Sequence, residues 1–345
     1  MPTDVLGSAI RRLATGGSLS AEETASAFDV IMRGEATPAR IAAILMALRV
    51  KGETSEEVAG GAQAMRNAMV RLPARDPESL VDTCGTGGGS LQTFNISTAA
   101  ALVAAGAGVR VAKHGNRSFT SRSGSADVLE ALGVAVEVPV EVMRRTLERT
   151  GIVFMFAPLM HPAMRHVGPV RRELAIGTLL NVLGPLANPA GAGRQVVGVA
   201  EASRLPLLAG ALASLGSRHA MVVHGEPGMD EISPLGCTRV LEVKDGVVEE
   251  WTLDPGRVGM KAHSESELAG GTPEENASII LDVLAGRRRD GARSAVLLNA
   301  AAAIYVADRA ASYEEALVAA ESALDGGKGM RALEALRREE QRAEN

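Results

Sequence analysis

The sequence predicts an α/β protein: a small N-terminal helical domain, then a large α/β domain with a central, mostly parallel sheet. Three observations carry this. The first 70 residues hold helix-start signatures and helical apolar stripes with no strand between them. After a proline-bearing linker, Arg71 to Glu78, the pattern becomes strand–loop–helix repeats. At the head of those repeats a short apolar run, Leu80-Val81, spills into a glycine loop, Gly85-Thr86-Gly87-Gly88-Gly89. The expected division is 1–72 and 78–345.

The elements follow in order. Ser20-Ala21-Glu22-Glu23 and Thr54-Ser55-Glu56-Glu57 are capping-box signatures, with a hydroxyl for the N3 amide and a carboxylate reaching back. Thr37-Pro38 starts a helix between them, with proline at the first helical position. These helices form either a separate module, such as a dimer face, or a cap on the main core. An Ala-rich helix is expected to open near Asn95 to Thr98, and Val109-Arg110-Val111 to lead a second strand. Gly124 to Leu132 reads as a helix, Val134 to Val138 as a strand, Val142 to Thr150 as a helix closed by Gly151, and Ile152 to Phe156 as a buried strand. Arg194 to Ala200 and Ala220 to Val223 are strands around a helix from Pro206 to Leu215. Arg239 to Val243 and Val247 to Leu253 flank Asp245-Gly246, a hairpin signal. Thr272 to Glu275 and Ser312 to Glu315 are two further capping boxes that open a helical tail.

Bulk properties restrict the function. With 345 residues, 46% of them hydrophobic, and a mean hydropathy of +0.09, the chain can bury a large core. A formal net charge of −5 gives no support to a general nucleic-acid or membrane-surface role. Cys84 and Cys237 stand far apart with no metal-ligand spacing, which fits a reducing compartment. Met1 to Leu6 has no signal-peptide pattern, and no apolar run reaches the ~18 residues of a membrane span. A cytoplasmic location is expected.

Four stretches carry chemistry. The glycine loop is not a P-loop, because Ser90-Leu91 stands where lysine and a hydroxyl would be needed. Nor is it a dinucleotide fingerprint, because Ser90 replaces the third glycine and no helix starts there. Glycines let an oxyanion approach the main chain, and a helix N-terminus adds positive potential. With the hydroxyls of Ser90, Thr93, Ser97 and Thr98 the loop reads as a phosphate cradle, although capping should use one of Asn95, Ser97 and Thr98. The second stretch is Lys113-His114-Gly115-Asn116-Arg117-Ser118, with Thr120, Ser121, Ser123 and Ser125 after it: cations and hydroxyls for phosphate, or a basic surface turn. The third is His161 to His166 with Arg171-Arg172, before the apolar run Thr178 to Pro189. Arg171 and Pro185 could offer a cation and an apolar wall to a small aromatic acid; Arg171 could equally sit on a solvated helix face beside Glu173. The fourth is Asp230-Glu231, adjacent carboxylates in a Gly/Pro loop after a strand, which suit a hard cation such as Mg²⁺.

Together, Asp82-Thr83-Cys84-Gly85-Thr86-Gly87-Gly88, Asn95-Ile96-Ser97-Thr98, Lys113 to Ser118, Ser123 to Asp127, His161-Pro162-Ala163-Met164, Asn181-Val182-Leu183-Gly184-Pro185 and Asp230-Glu231 closely resemble the anthranilate phosphoribosyltransferase family. The resemblance runs in family order from the first helices to the tail. It implies a nucleoside phosphorylase/phosphoribosyltransferase-like fold, with helices from about 162–186 joining the small domain, and a homodimer through the helical part. It implies transfer of phosphoribose from phosphoribosyl pyrophosphate to anthranilate, releasing pyrophosphate, in tryptophan biosynthesis. Carried over by motif, the donor would be held by Gly85, Gly88, Gly89, Thr93, Asn95, Ile96, Ser97, Thr98, Lys113, His114, Gly115, Asn116, Arg117, Ser118, Phe119, Thr120, Ser121 and Ser125. Anthranilate would meet Gly85, His114, Asn116, Arg171 and Pro185, and Mg²⁺ would meet Ser97, Asp230 and Glu231. No residue is assigned as a catalytic base. The chain departs from the family twice: Gly89 stands where the glycine loop usually ends in Asp, and Gly177 where Arg usually precedes the Thr of the apolar run. The competing expectations are a pyrimidine-nucleoside phosphorylase and a nucleic-acid-binding relative without catalysis.

Overall fold

A computed structural model describes residues 4–118 and 122–341. Four helices open the chain: α1 (Val5–Ala14), α2 (Ala21–Met32), α3 (Pro38–Lys51) and α4 (Ser55–Ala68). Both expected capping boxes close: Glu23 takes the Ser20 N–H at 2.8 Å, and Glu57 takes the Thr54 N–H at 2.8 Å. Glu57 does more than cap. It is fully buried, and it also accepts from Leu19 N at 3.0 Å and Lys51 Nζ at 2.9 Å, so one carboxylate ties three segments of the bundle. Phe28, Ile31, Ile44, Leu45 and Leu48 are wholly buried between the helices, each contributing about 1.5–3 kcal/mol of burial.

The α/β part runs β1 (Val81–Asp82), α5 (Ile96–Gly106), β2 (Val111–Gly115), α6 (Ser125–Ala131), α7 (Val140–Thr150), β3 (Ile152–Phe156), α8 (Ala157–Met160), α9 (Gly168–Leu174), β4 (Arg194–Gly198), α10 (Leu205–Ser214), β5 (His219–Gly225), β6 (Thr238–Lys244), β7 (Val247–Leu253), α11 (Pro273–Leu284), α12 (Gly291–Val306), α13 (Tyr313–Asp325) and α14 (Lys328–Gln341). The strands form one sheet in the order β3-β2-β1-β4-β5-β6-β7. Its first five are parallel, and β5, β6 and β7 are antiparallel. The β6–β7 turn is the expected hairpin, with Asp245 and Gly246 both at positive φ (46° and 83°). Gly151, in the left-handed region, closes α7 as the sequence implied.

One sheet face packs on α5 and α11–α14, through Val81, Val111, Phe154, Val196 and Met221. The other packs partly on α7, through Ala112, Val153 and Met155, and partly on α10, through Val197, Ala220 and Val222. The α10 cluster is continuous with the interior of the bundle and with Val167, Val170, Leu179 and Leu183. Successive strands step outward on one side of β1, then β4 returns to its other side. That reversal leaves a crevice at the C-terminal ends of β1 and β4, where open α/β sheets bind ligands.

Three sequence expectations need correction. Val134 to Val138 is not a strand. Its alternation is real, with Val134, Val136 and Val138 buried, but it pairs with no strand among the described residues. The segment instead carries the chain between layers, since Val134 and Val136 belong to the α5 cluster and Val138 to the α7 cluster. Second, Asn95 is the N-cap residue of α5 but its side chain makes no capping bond. Its amide reaches across the fold instead, donating to Ser123 O at 3.1 Å and accepting from Asn276 Nδ2 at 2.9 Å. Third, Ser312 does cap α13, but Glu315 turns to Ala311 N at 2.9 Å, so only half of that box forms.

Candidate active site

Loops from the C-terminal ends of β1, β2, β4 and β5 converge on the crevice. The glycine loop after β1 turns at Gly87 and Gly88, both left-handed (φ 68° and 86°). It is fastened to the end of β4 by Thr86 N–H on Gly198 O at 2.8 Å, and to the loop after β5 by Ser90 N–H on Gly228 O at 3.0 Å. The acidic loop is fastened in turn to the start of α5: Ser97 N–H donates to Glu231 Oε1 at 3.2 Å. Residues 134 positions apart in the chain thus form one cluster of glycine main chain, helix N-terminus and carboxylates.

Lys113 lies under this cluster, only 4% exposed. Its ammonium donates to Thr83 O, Thr83 Oγ1 and Ser97 Oγ at 3.0, 3.1 and 3.2 Å, which uses all three protons. Burial, reinforced by the Asp230 charge and opposed by Lys113, pushes the Glu231 carboxyl up to about 8. Burial likewise raises Asp230, against hydrogen bonds from its own N–H and that of Gly87. Two carboxylates disfavoured as bare charges, with the Ser97 hydroxyl alongside, form an all-oxygen donor set that fits a hard divalent cation. Gly89 faces the same carboxylate. A Cβ there would fall 2.6 Å from Asp230 Oδ1, so an aspartate at 89 would have to displace the Asp230 side chain.

The loop after β2 is held locally. Asn116 Oδ1 accepts from Arg117 N at 2.8 Å, Ser125 Oγ donates to Asn116 O at 3.3 Å, and Asp127 accepts from Ser118 N at 3.0 Å. The Arg117 guanidinium meets Asp127, Glu130 and Glu137 at 3.3, 2.5 and 3.0 Å, so its charge is matched inside the protein. Thr93 pairs with Ala269 through the main chain. Ile96 and Thr98 turn their side chains into the core, where the Thr98 hydroxyl has no partner among the described residues. Phe119, Thr120 and Ser121 lie outside the described residues.

His114 lies on the opposite face of β2 from Lys113. Its N–H donates to Asp82 Oδ1 at 3.1 Å, its Nδ1 faces Gly184 O at 3.3 Å, and its ring centroid is 4.9 Å from that of His161. Burial, then the neighbouring His161, lowers its pKa to about 3, and burial lowers His161 to about 4; both rings are neutral at pH 7. Pro185 is buried beside them, and Arg171 is partly buried with no carboxylate partner among the described residues. A Cβ at Gly177 would meet no described residue within 4 Å.

The strand pairing also brings together a group with no sequence signal. Asp82, Cys84 and His114 lie on one face of β1 and β2, with ligand-type atoms within 4.8 Å of one another. Both Asp82 oxygens already accept, from His114 N and from Asn188 Nδ2 at 2.7 Å, and burial followed by the Asp82 charge pushes the Cys84 thiol up to about 12. This is the chemistry of an inert thiol in a hydrogen-bonded floor. Gln195 and Arg66, which also bond around the site, carry no local mark in the sequence, and Asn188 stands out there only as the end of the apolar run.

Residues 7–69 match the helical bundle domain of the glycosyl transferase family, and residues 77–330 match that family's a/b domain. An anthranilate phosphoribosyltransferase of Rubrobacter xylanophilus is 52% identical over 330 residues, covering 96% of each chain. The crystal structure of the Thermus thermophilus anthranilate phosphoribosyltransferase superposes with a TM-score of 0.91 at 44% identity, covering 96% of this chain and 99% of that one. The Saccharomyces cerevisiae enzyme in complex with PRPP and Mg gives 0.88 at 29% identity, covering 99% of each. The same two domains in the same order, and half the residues shared along nearly the whole length, place this chain in the anthranilate phosphoribosyltransferase family.

Proposed function

We propose that the crevice holds phosphoribosyl pyrophosphate on its glycine-loop side and anthranilate on its His114 side. The chain is a pentosyltransferase of tryptophan biosynthesis that moves the phosphoribosyl group of that donor to the anthranilate amine and releases pyrophosphate. The relatives favour this over a pyrimidine-nucleoside phosphorylase or a nucleic-acid-binding protein. The observation that carries the site assignment is the Ser97 N–H to Glu231 bond, which joins helix start, glycine loop and acidic pair at one point.

In this reading Gly85, Gly88, Gly89, Thr93, residues 95–98, residues 113–118 and Ser125 shape the donor site. Lys113 acts from below through its charge, and Arg117 through the shape of its loop. Ser97, Asp230 and Glu231 would hold Mg²⁺, which when bound offsets the charge gathering on the leaving pyrophosphate. Arg171 would pair with the anthranilate carboxylate, Pro185 would cover the ring, and Asn116 and neutral His114 would orient the amine toward the anomeric carbon. A neutral aryl amine needs no strong base, and a ring held near pKa 3 does not supply one. Anthranilate fluorescence should fall when the protein meets phosphoribosyl pyrophosphate and Mg²⁺. Unchanged fluorescence with folded protein would sink the reading.

Three coarser features belong to the same proposal. The small domain comprises 1–72 with residues 162–186, supported by their shared apolar cluster. The chain forms a homodimer through that part, where Val50 and Ile176 are 80% and 46% exposed; sedimentation equilibrium returning the 35.7 kDa monomer mass would refute it. It resides in the cytoplasm, which fractionation tests. Its two free cysteines fit a reducing compartment, and among the described residues no helix is long and apolar enough to cross a membrane.

A further inference from the structure

Three consecutive carbonyls in the turn Gly184–Leu186 each face a side chain from a different part of the fold. His114 Nδ1, from β2, lies 3.3 Å from Gly184 O. Gln195 Nε2, from β4, donates to Pro185 O at 2.5 Å. Arg66 Nε, from α4, donates to Leu186 O at 2.7 Å. Pro185, Leu186, His114 and Gln195 are buried, whereas Gly184 and Arg66 are partly buried.

Arg66 is the unusual member. It is partly buried, and burial, then the nearby Arg71 charge, lowers its pKa, yet among the described residues it has no carboxylate partner. A desolvated guanidinium on a neutral carbonyl is an expensive way to satisfy one backbone oxygen, since a neutral donor would do so with less desolvation. Among the described residues it is also the one side-chain hydrogen bond from α1–α4 to any part of the chain beyond Ala68.

We propose that Arg66 is a positioning residue for the acceptor. By holding Leu186 O it sets the distance of Pro185 from His114 and Arg171, and so couples the placement of the helical bundle to the width of the anthranilate site. Gln195 holds the same turn from the sheet, and His114 links it to the loop that leads to the donor. The inference rests on the site reading above. It assigns to the bundle a part in acceptor binding that is carried by one guanidinium.

Steady-state kinetics on the full chain test it. Arg66→Ala should raise KM for anthranilate about tenfold, the size of one charge-assisted hydrogen bond. KM for phosphoribosyl pyrophosphate should hold and kcat should stay within about twofold, because the turn contributes none of the residues assigned to the donor. Arg66→Gln keeps a donor without the charge and should recover most of the anthranilate KM. An unchanged anthranilate KM in Arg66→Ala overturns the inference. So does a parallel rise in both KM values with a lowered Tm, which would mark a merely structural residue, and so does failure of Arg66→Gln to recover KM. A wild-type chain that consumes no anthranilate would remove the site reading and this inference together, whereas an active wild type with a silent Arg66→Ala removes the inference alone.

Discussion

Asp230→Asn combined with Glu231→Gln abolishes magnesium-dependent turnover and leaves the fold intact. The loss expected in kcat/KM is at least about 10³-fold, about 4 kcal/mol of stabilisation withdrawn from the departing pyrophosphate. Folding should not suffer, because each substitution replaces a carboxylate already disfavoured by burial with a neutral group of the same shape. The pH dependence has a definite sign. Glu231 is raised from 4.5 to about 8 in the fold, so the native state binds its proton more tightly than the unfolded chain does. Without Mg²⁺ its contribution to stability is greatest below pH 4.5, declines as pH rises, and is lost above about 8. The Tm of the double variant should therefore exceed that of the wild type by a margin that grows from pH 5 to pH 8.5. Mg²⁺ should bind the wild type more tightly over the same interval, as proton competition falls away. Calorimetry and magnesium titrations measure both, and wild-type rates in the double variant would exclude the metal assignment.

Gly198→Ala should be the most disruptive single methyl group in the site. Gly198 ends β4, and its carbonyl receives the Thr86 N–H of the glycine loop. A Cβ there would fall 1.7 Å from Asp230 O and 2.5 Å from Asp230 C, both backbone atoms that cannot rotate aside. The acidic loop must move or β4 must retreat, at a cost of about 3 kcal/mol. Because the displaced atoms belong to Asp230, kcat/KM should fall by about 10²-fold as well, the usual penalty of an ångström-scale misplacement. Gly177→Ala is the control: no described residue lies within 4 Å of its Cβ position, and its stability should stay within about 0.5 kcal/mol. Urea unfolding with parallel kinetics tests the pair. Equal stabilities for the two variants would mean that the approach of Asp230 to β4 is not obligatory.

The elements that the sequence determined by itself are those whose chemistry is local. Ser20 with Glu23 and Thr54 with Glu57 close reciprocal bonds over three residues, Asp245-Gly246 satisfies its own turn, and Gly151 ends α7 at its own positive φ. The glycine loop after β1 and the polar loop after β2 are legible for the same reason, as glycines and hydroxyls at strand ends. Tertiary structure decided everything that depends on a distant partner. Asn95 looks like a cap until Ser123 and Asn276 claim its amide. Val134 to Val138 alternates like a strand but pairs with none among the described residues; its valines pack between layers instead. Lys113 and Arg117 read as free cations, yet Thr83 and Ser97 surround the first and three carboxylates the second. Arg66 carries no mark at all, because Leu186 lies 120 positions away. A hydrogen bond across such a gap leaves no periodicity in the chain. It arises only when the sheet order, the layer crossing and the bundle packing have brought both ends together.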